Sequence, residues 1–202
     1  MSVHDILDPL VIIKALGLLG VVGIVFAESG LFFGFFLPGD SLLFTAGFLA
    51  SQNLISIFWL LILCFIAAVV GDNVGYYFGR KTGPKIFNKE DSIFFHKSHI
   101  EKAKAFYEKY GKKTIFIARF IPVVRTFVPI VAGVAQMEYT TFMKYNLIGG
   151  FVWTWGMLGA GYLLGSVIPN AEKYLTPIIL VIILTSILPA VIEFIKHRMN
   201  RV

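Results

Sequence analysis

Charge is scarce in this sequence. Only 15% of its 202 residues are Asp, Glu, Lys or Arg, against roughly a quarter in ordinary globular domains, and 57% are apolar or aromatic. Between Leu10 and Gly79 the formal charges are limited to Lys14, Glu28, Asp40 and Asp72. A water-soluble fold built from that stretch would have nothing to face solvent, which excludes a soluble enzyme, and so apolar a chain is not disordered either. Cysteine is limited to Cys64, inside an apolar run, so disulfide frameworks and CxxC metal sites are excluded. The histidines, His4, His96, His99 and His197, all lie outside the apolar segments. That argues against an intramembrane His-dependent phosphatase or metalloprotease, and the HxxH pair at His96 and His99 lacks a third ligand. Ser29 beside Gly30 has no GxSxG context for a nucleophile. No catalytic residue, metal or cofactor is therefore expected, and the chain is not expected to be an enzyme. Met1 to Asp8 has no basic n-region, so the first apolar block is expected to stay in the mature protein.

What remains is membrane helix. A crossing takes about 20 mostly apolar residues, and three segments supply them: 54–79, 140–167 and 172–195. The second runs through Trp153 and Trp155 and carries Gly149, Gly150, Gly156, Gly159, Gly161 and Gly165, small residues that admit another helix closely. Two further apolar stretches are broken. Residues 17–50 are interrupted by Glu28-Ser29-Gly30 and by Pro38-Gly39-Asp40, and residues 114–136 by Arg119, Pro122, Arg125 and Pro129. Their apolar flanks are too short to cross on either side of a helix-breaking centre. Each is expected to be a re-entrant hairpin that enters and leaves on one face.

The surplus of 18 Lys and Arg over 12 Asp and Glu could point to nucleic acid, but the basic residues gather in the loop 80–113 and the tail 196–202, between apolar blocks. They read as orientation signals, placing loop and tail in the cytoplasm. Ser98-His99-Ile100-Glu101 has capping-box spacing, Gly111 is a stop, and Ile100, Ala103, Tyr107 and Tyr110 recur every three or four residues. An amphipathic helix on the inner leaflet is predicted there.

Sliding the chain against itself by 86 residues aligns Ala46-Gly47 with Ala132-Gly133, and Gly75-Tyr76-x-x-Gly79 with Gly161-Tyr162-x-x-Gly165. Residues 10–79 and 114–165 then form two repeats of hairpin plus span. An odd number of crossings per copy inverts one relative to the other. The fold expected is a single all-α integral membrane domain, an inverted repeat of re-entrant hairpin and transmembrane helix, with a further C-terminal span and the cytoplasmic amphipathic helix. Broken helices meeting near the midplane are the usual setting of a transporter site.

Ionised side chains at that depth cost roughly 2.5 to 3.5 kcal/mol each on insertion scales. The hairpins carry four, Glu28 and Asp40 in the first and Arg119 and Arg125 in the second. Two acids facing two bases would neutralise one another. One reading is a structural ion-pair cluster that fixes the hairpin contact; the other is that these charges bind an anionic group and exchange protons, and both can hold together. Pro38, Gly39, Pro122 and Pro129 are the expected breaks, where freed backbone groups could meet a phosphate or water. Asp72, Asn73, Tyr76 and Arg80 are secondary candidates: Asp72-Asn73, near the cytoplasmic side of its span, could form a snorkelling pair with Arg80 or a helix contact, and Tyr76 and Tyr77 read as interface anchors. Glu138 and Lys144 read as boundary charges.

At these residues the chain resembles the DedA family of bacterial inner-membrane proteins, related to eukaryotic VTT-domain lipid scramblases. The matching stretches are Glu28 followed by Phe36-Leu37-Pro38-Gly39-Asp40-Ser41-Leu42-Leu43-Phe44; Gly71-Asp72-Asn73-x-Gly75-Tyr76-x-x-Gly79-Arg80; and Phe116-x-x-Arg119-Phe120-x-Pro122-x-x-Arg125-x-x-x-Pro129-x-x-Ala132-Gly133-x-x-x-Met137-x-x-x-x-Phe142. The resemblance covers about residues 20 to 165. It implies opposed re-entrant hairpins, essential acids and arginines at Glu28, Asp40, Arg119 and Arg125, and transport of lipid phosphates, notably undecaprenyl phosphate, or phospholipid flipping, linked to the proton motive force. The expected protein is a transporter in the bacterial inner membrane that moves a phosphate-headed lipid carrier, with membrane lipids and protons as partners and no nucleic acid. Arg119 and Arg125 would bind the phosphate, and Glu28 and Asp40 would couple protons. Alternatives are phosphatidylethanolamine flipping, proton-coupled export of small cations, or a non-transporting assembly factor.

Overall fold

A computed structural model describes residues 9–30, 37, 39–87, 113–167 and 177. Among the described residues every regular element is helical: α1 Pro9–Gly30, α2 Gly39–Ser51, α3 Ile57–Phe87, α4 Thr114–Ala118, α5 Pro122–Val134 and α6 Tyr139–Val167. The amphipathic helix expected in the basic loop, the hairpin tip around Pro38, the C-terminal span and the tail lie outside the described residues.

Among the described residues two helices are long and apolar enough to cross a membrane: Ile57–Gly83 within α3, and α6. Only 39% and 33% of their most apolar windows are buried. The exposed remainder includes Ile66, Val70, Val74 and Phe78 on α3, and Leu147, Ile148, Phe151, Val152 and Trp155 on α6. Apolar faces of that extent suit lipid, not water. The first span was expected to stop at Gly79, but α3 continues through Arg80 and Lys81 to Phe87. Gly79 is there for packing and does not terminate the helix. α1 is interrupted at Gly17, which has φ 59° and ψ −150° and leaves a shorter apolar helix over Gly17–Gly30.

The shorter helices α2 and α5 have 13 residues each and end alike. After α2, Asn53 is left-handed (φ 59°), and the N–H groups of Asn53 and Leu54 donate to the carbonyls of Ala50 and Leu49. After α5, Gln136 is left-handed (φ 56°), and the N–H groups of Gln136 and Met137 donate to Gly133 and Ala132. These bonds satisfy carbonyls that a helix end leaves open.

The chain divides into two compact units. One comprises residues 1–24, 37–63 and 154–202, the other 25–36 and 64–153. In the first, α2 is buried along Ser41–Ala50 and seats directly on α6: a Cβ on Gly47 would run into the backbone of Leu158, and one on Gly161 into the backbone of Phe44. In the second, α5 seats on α3 by the same means, Gly79 against the backbone of Ile130, Gly133 against that of Tyr76, and Gly83 against Val134. The contacts make Gly161 the counterpart of Gly79, one helical turn from the 86-residue register of the sequence. The same glycine contacts set α2 on α6 and α5 on α3 at backbone distance, while α5 also packs against α6 through Val128, Ala132 and Phe142. The core of the second unit is Tyr76, Ile115, Ala118, Val128, Ala132 and Phe142.

Candidate functional site

All the groups of the candidate site described here belong to the second unit. The last turn of α1 brings Glu28 and Ser29 against α3 at a point without side chains. A Cβ on Gly30 would stand 3.0 Å from the Cα of Gly71, and one on Gly71 would stand 2.8 Å from the Cβ of Ser29. The next residue on α3 is Asp72. α4 is a five-residue turn capped by Arg119, after which Ile121 is extended (φ −111°, ψ 105°) and Pro122 opens α5. Proline suits the first helical position because its missing N–H would find no partner there. This break sets Arg119 at the end of one helix and Arg125 in the first turn of the next. Arg125 N–H donates to the Ile121 carbonyl at 3.0 Å.

Two buried ion pairs result. Arg119 Nη1 lies 2.9 Å from Asp72 Oδ2, with 6% and 8% of the side chains exposed; Arg125 Nη2 pairs with Glu28 Oε1, with 9% and 2% exposed. Arg119 has further acceptors: Asn146 Oδ1 at 2.8 Å, the Asn146 carbonyl at 3.3 Å and the Ala68 carbonyl at 3.4 Å. Asn146 is itself fully buried and donates to the Val69 carbonyl at 3.1 Å, so α3, α4 and α6 are joined through one guanidinium. The flat face of Trp153 serves both arginines, its centroid 5.7 Å from Cζ of Arg119 and 4.6 Å from Cζ of Arg125. Glu28 Oε2 is buried without a hydrogen-bond partner. A small cavity is lined by Asp72, Arg119, Arg125 and Trp153 together with Ser29, Ile115, Val128 and Pro129. Among the described residues no cluster of His, Cys, Asp or Glu could hold a metal.

A VTT domain model matches residues 37–163, which takes in Asp72, Arg119, Arg125 and Trp153. The chain is also 48% identical over 177 residues to Protein DedA of Escherichia coli (strain K12), covering 87% of this chain and 80% of that one. It belongs to the DedA family of membrane proteins. An uncharacterized membrane protein of Mycobacterium tuberculosis (strain CDC 1551 / Oshkosh) is 45% identical over 200 residues, covering 95% of this chain and 87% of that one. Inner membrane protein YqjA of Escherichia coli (strain K12) is 32% identical over 151 residues, covering 75% and 68%. No solved structure matches.

In this DedA-family chain, Asp72 is not a snorkelling partner of Arg80 but the counter-ion of Arg119. Arg80 Nη1 lies 3.4 Å from the Tyr76 hydroxyl. Nor is Tyr76 an interface anchor: it is fully buried, stacked on Phe142 at 4.5 Å, and its hydroxyl donates to the Met137 carbonyl. Tyr77 is half exposed. Asn73 donates to the Val69 carbonyl at 2.7 Å and accepts from the Tyr139 hydroxyl at 3.0 Å. Asp40 stands in the first turn of α2, in the other unit, where an acid suits a helix N-terminus. Gly39 opens that helix, and Pro129 lies inside α5. Glu138 is exposed and accepts from the hydroxyls of Thr140 and Thr141 at 2.6 and 2.9 Å. Asn146 and Trp153 were not among the expected site residues. A lone Asn inside an apolar span was the available signal for the first.

Proposed function

We propose that this protein moves a phosphate-headed lipid across the bacterial inner membrane, with undecaprenyl phosphate the leading substrate and the proton motive force the bias. The observation that carries the reading is the pair of buried arginine–carboxylate contacts, with both arginines, Asp72 and Trp153 lining one small cavity. A guanidinium keeps its charge in apolar surroundings and matches phosphate oxygens with a planar fork, so a phosphate can replace a carboxylate on it. The displaced carboxylate then loses its counter-ion, and taking up a proton is the least costly way to remain buried. Glu28 is the first such carboxylate, and Asp40 is the second proposed proton carrier. The lipid tail stays in the bilayer while only the head group passes. In this reading the broken segments around Pro38-Gly39 and Pro122 are the re-entrant hairpins, and loop 80–113 and the tail face the cytoplasm.

Reconstitution in liposomes tests the proposal. Arg125→Lys keeps a charge but loses the fork, and is expected to insert normally while lipid-phosphate movement falls by about a hundredfold, the scale of a lost charge-assisted bidentate contact. Movement of lipid phosphate at the parental rate by this variant would refute the binding role. Movement of phosphatidylethanolamine in its place by the parent would select that substrate instead.

A further inference from the structure

The cavity of the second unit has one acid among its described lining residues, and it is Asp72, beside Arg119 and Arg125. Ser29 adds a hydroxyl, brought to the residue before Asp72 by the close approach of α1 to Gly71. Glu28 is not on that wall: it meets Arg125 through Oε1, and its Oε2 is buried. Of the two paired carboxylates, the one that an anion entering the cavity meets is therefore Asp72. It holds Arg119 at 2.9 Å. Arg119 is held as well by Asn146 Oδ1 at 2.8 Å and by the carbonyls of Asn146 and Ala68, so the guanidinium keeps its place on the wall when the carboxylate lets go.

An anion at Arg119 competes with a carboxylate that is already attached to the chain. A phosphate diester carries one negative charge shared by two oxygens, which is the charge and the fork-matching geometry of a carboxylate. It offers Arg119 nothing that Asp72 does not, and the tether gives Asp72 the higher effective concentration. A phosphate monoester has three terminal oxygens and, at about pH 8, close to two negative charges. It can reach Arg119 and Arg125 together, since both line the same cavity. We propose that Asp72 is a specificity-determining residue of this cavity, a built-in competitor that a phosphate monoester displaces from Arg119 and a phosphate diester does not. This selection rests on the phosphate reading proposed above and narrows it to one class of phosphate.

Trp153 lines the cavity and reports its occupancy. In a Trp59→Phe/Trp155→Phe background, both positions being exposed, it is the remaining tryptophan. The full chain in dodecylmaltoside at about pH 8 is titrated with dodecyl phosphate and with dodecyl methyl phosphate while its emission is followed. The matched tails make the ratio of the two affinities independent of partition into the micelle. The parent is expected to bind the monoester at least about tenfold more tightly than the diester. Asp72→Asn removes the competitor, and affinity for the diester is expected to rise about tenfold. Asp72→Glu keeps the competitor and lengthens it by one methylene in a small cavity, and affinity for the monoester is expected to fall about tenfold. A residue needed for packing alone would lose affinity for both probes in both variants. Inorganic phosphate as a third probe marks free phosphate as the source if it binds the parent as tightly as dodecyl phosphate, and a lipid head group if it binds more weakly; Asp72 is the competitor in either case. Equal binding of monoester and diester by the parent, diester binding by Asp72→Asn no tighter than the parent's, or parental monoester binding by Asp72→Glu overturns the proposal. Where Asp72→Asn is not recovered folded, Asp72→Glu, which keeps the ion pair, decides alone. A parent silent to dodecyl phosphate overturns the phosphate reading itself, and the role of Asp72 with it.

Discussion

The partnership of Asp72 with Arg119 separates what the fold builds from what proximity along the chain would favour, and a double-mutant cycle measures it. Removing one member of a buried ion pair typically costs about 3 to 5 kcal/mol, because the other charge is left uncompensated in an apolar setting. Here the loss falls at the low end for Asp72→Asn, since Arg119 retains Asn146 Oδ1 at 2.8 Å and two carbonyls. About 3 kcal/mol is expected for Asp72→Asn and more for Arg119→Gln, which strands Asp72 outright. The double variant carries no charge at either position and should cost well under the sum, giving a coupling of about 2 kcal/mol or more. Asp72→Asn combined with Arg80→Gln should instead be additive to within about 0.5 kcal/mol, as for residues that share no contact. Unfolding by sodium dodecyl sulfate in mixed micelles, followed by circular dichroism, reads the parent and the five variants, Arg80→Gln alone included, on one scale. Coupling of Asp72 to Arg80 as large as to Arg119 would refute the site geometry described above.

The glycine seats make a sharper contrast. Gly47→Ala and Gly133→Ala each push a methyl group into backbone and should destabilise by about 1 to 3 kcal/mol, whereas Gly156→Ala and Gly159→Ala, with nothing within 4 Å, should change stability little or raise it; equal effects in the two classes would show that the helices are not in backbone contact. For proton coupling, Glu28→Gln and Asp40→Asn fix the protonated form, so in proteoliposomes transport should cease to respond to a pH gradient; a parental response would move coupling to another group, Asp72 first. For orientation, a cysteine at position 89 in a Cys64→Ser background should resist an impermeant reagent outside intact cells and react after permeabilisation, and the opposite result would reverse the proposed topology.

How much of this was legible beforehand depended on whether the cause was local. The spans at α3 and α6 follow from unbroken apolar runs, and the break before α5 from Pro122, all within a few residues. Glu28, Arg119 and Arg125 stood out because charge is rare in such surroundings. The partner of Asp72 did not: Arg80 shares its helix, while Arg119 arrives only through the fold of α4. The expected span stopped at Gly79 because the apolar run ends there, before Arg80 and Lys81, and only the backbone of Ile130 reveals the use of that glycine. Tyr76 looked like an anchor because tyrosine commonly sits at membrane interfaces; its burial comes from Phe142 and Met137, more than sixty residues away along the chain. Asn146 and Trp153 carried no sequence motif of their own, and their role is set by what α6 happens to face.

The crossed seating of the short helices bears on how such a chain can be divided. Because α2 beds on α6 and α5 beds on α3, a fragment ending near residue 87 holds a groove at Gly79 and Gly83 with nothing to fill it, and a fragment beginning near 113 holds an empty groove at Gly161. Neither half is a self-sufficient module. Made separately in one cell, the halves would have to find each other to become stable, each lending the other its long helix.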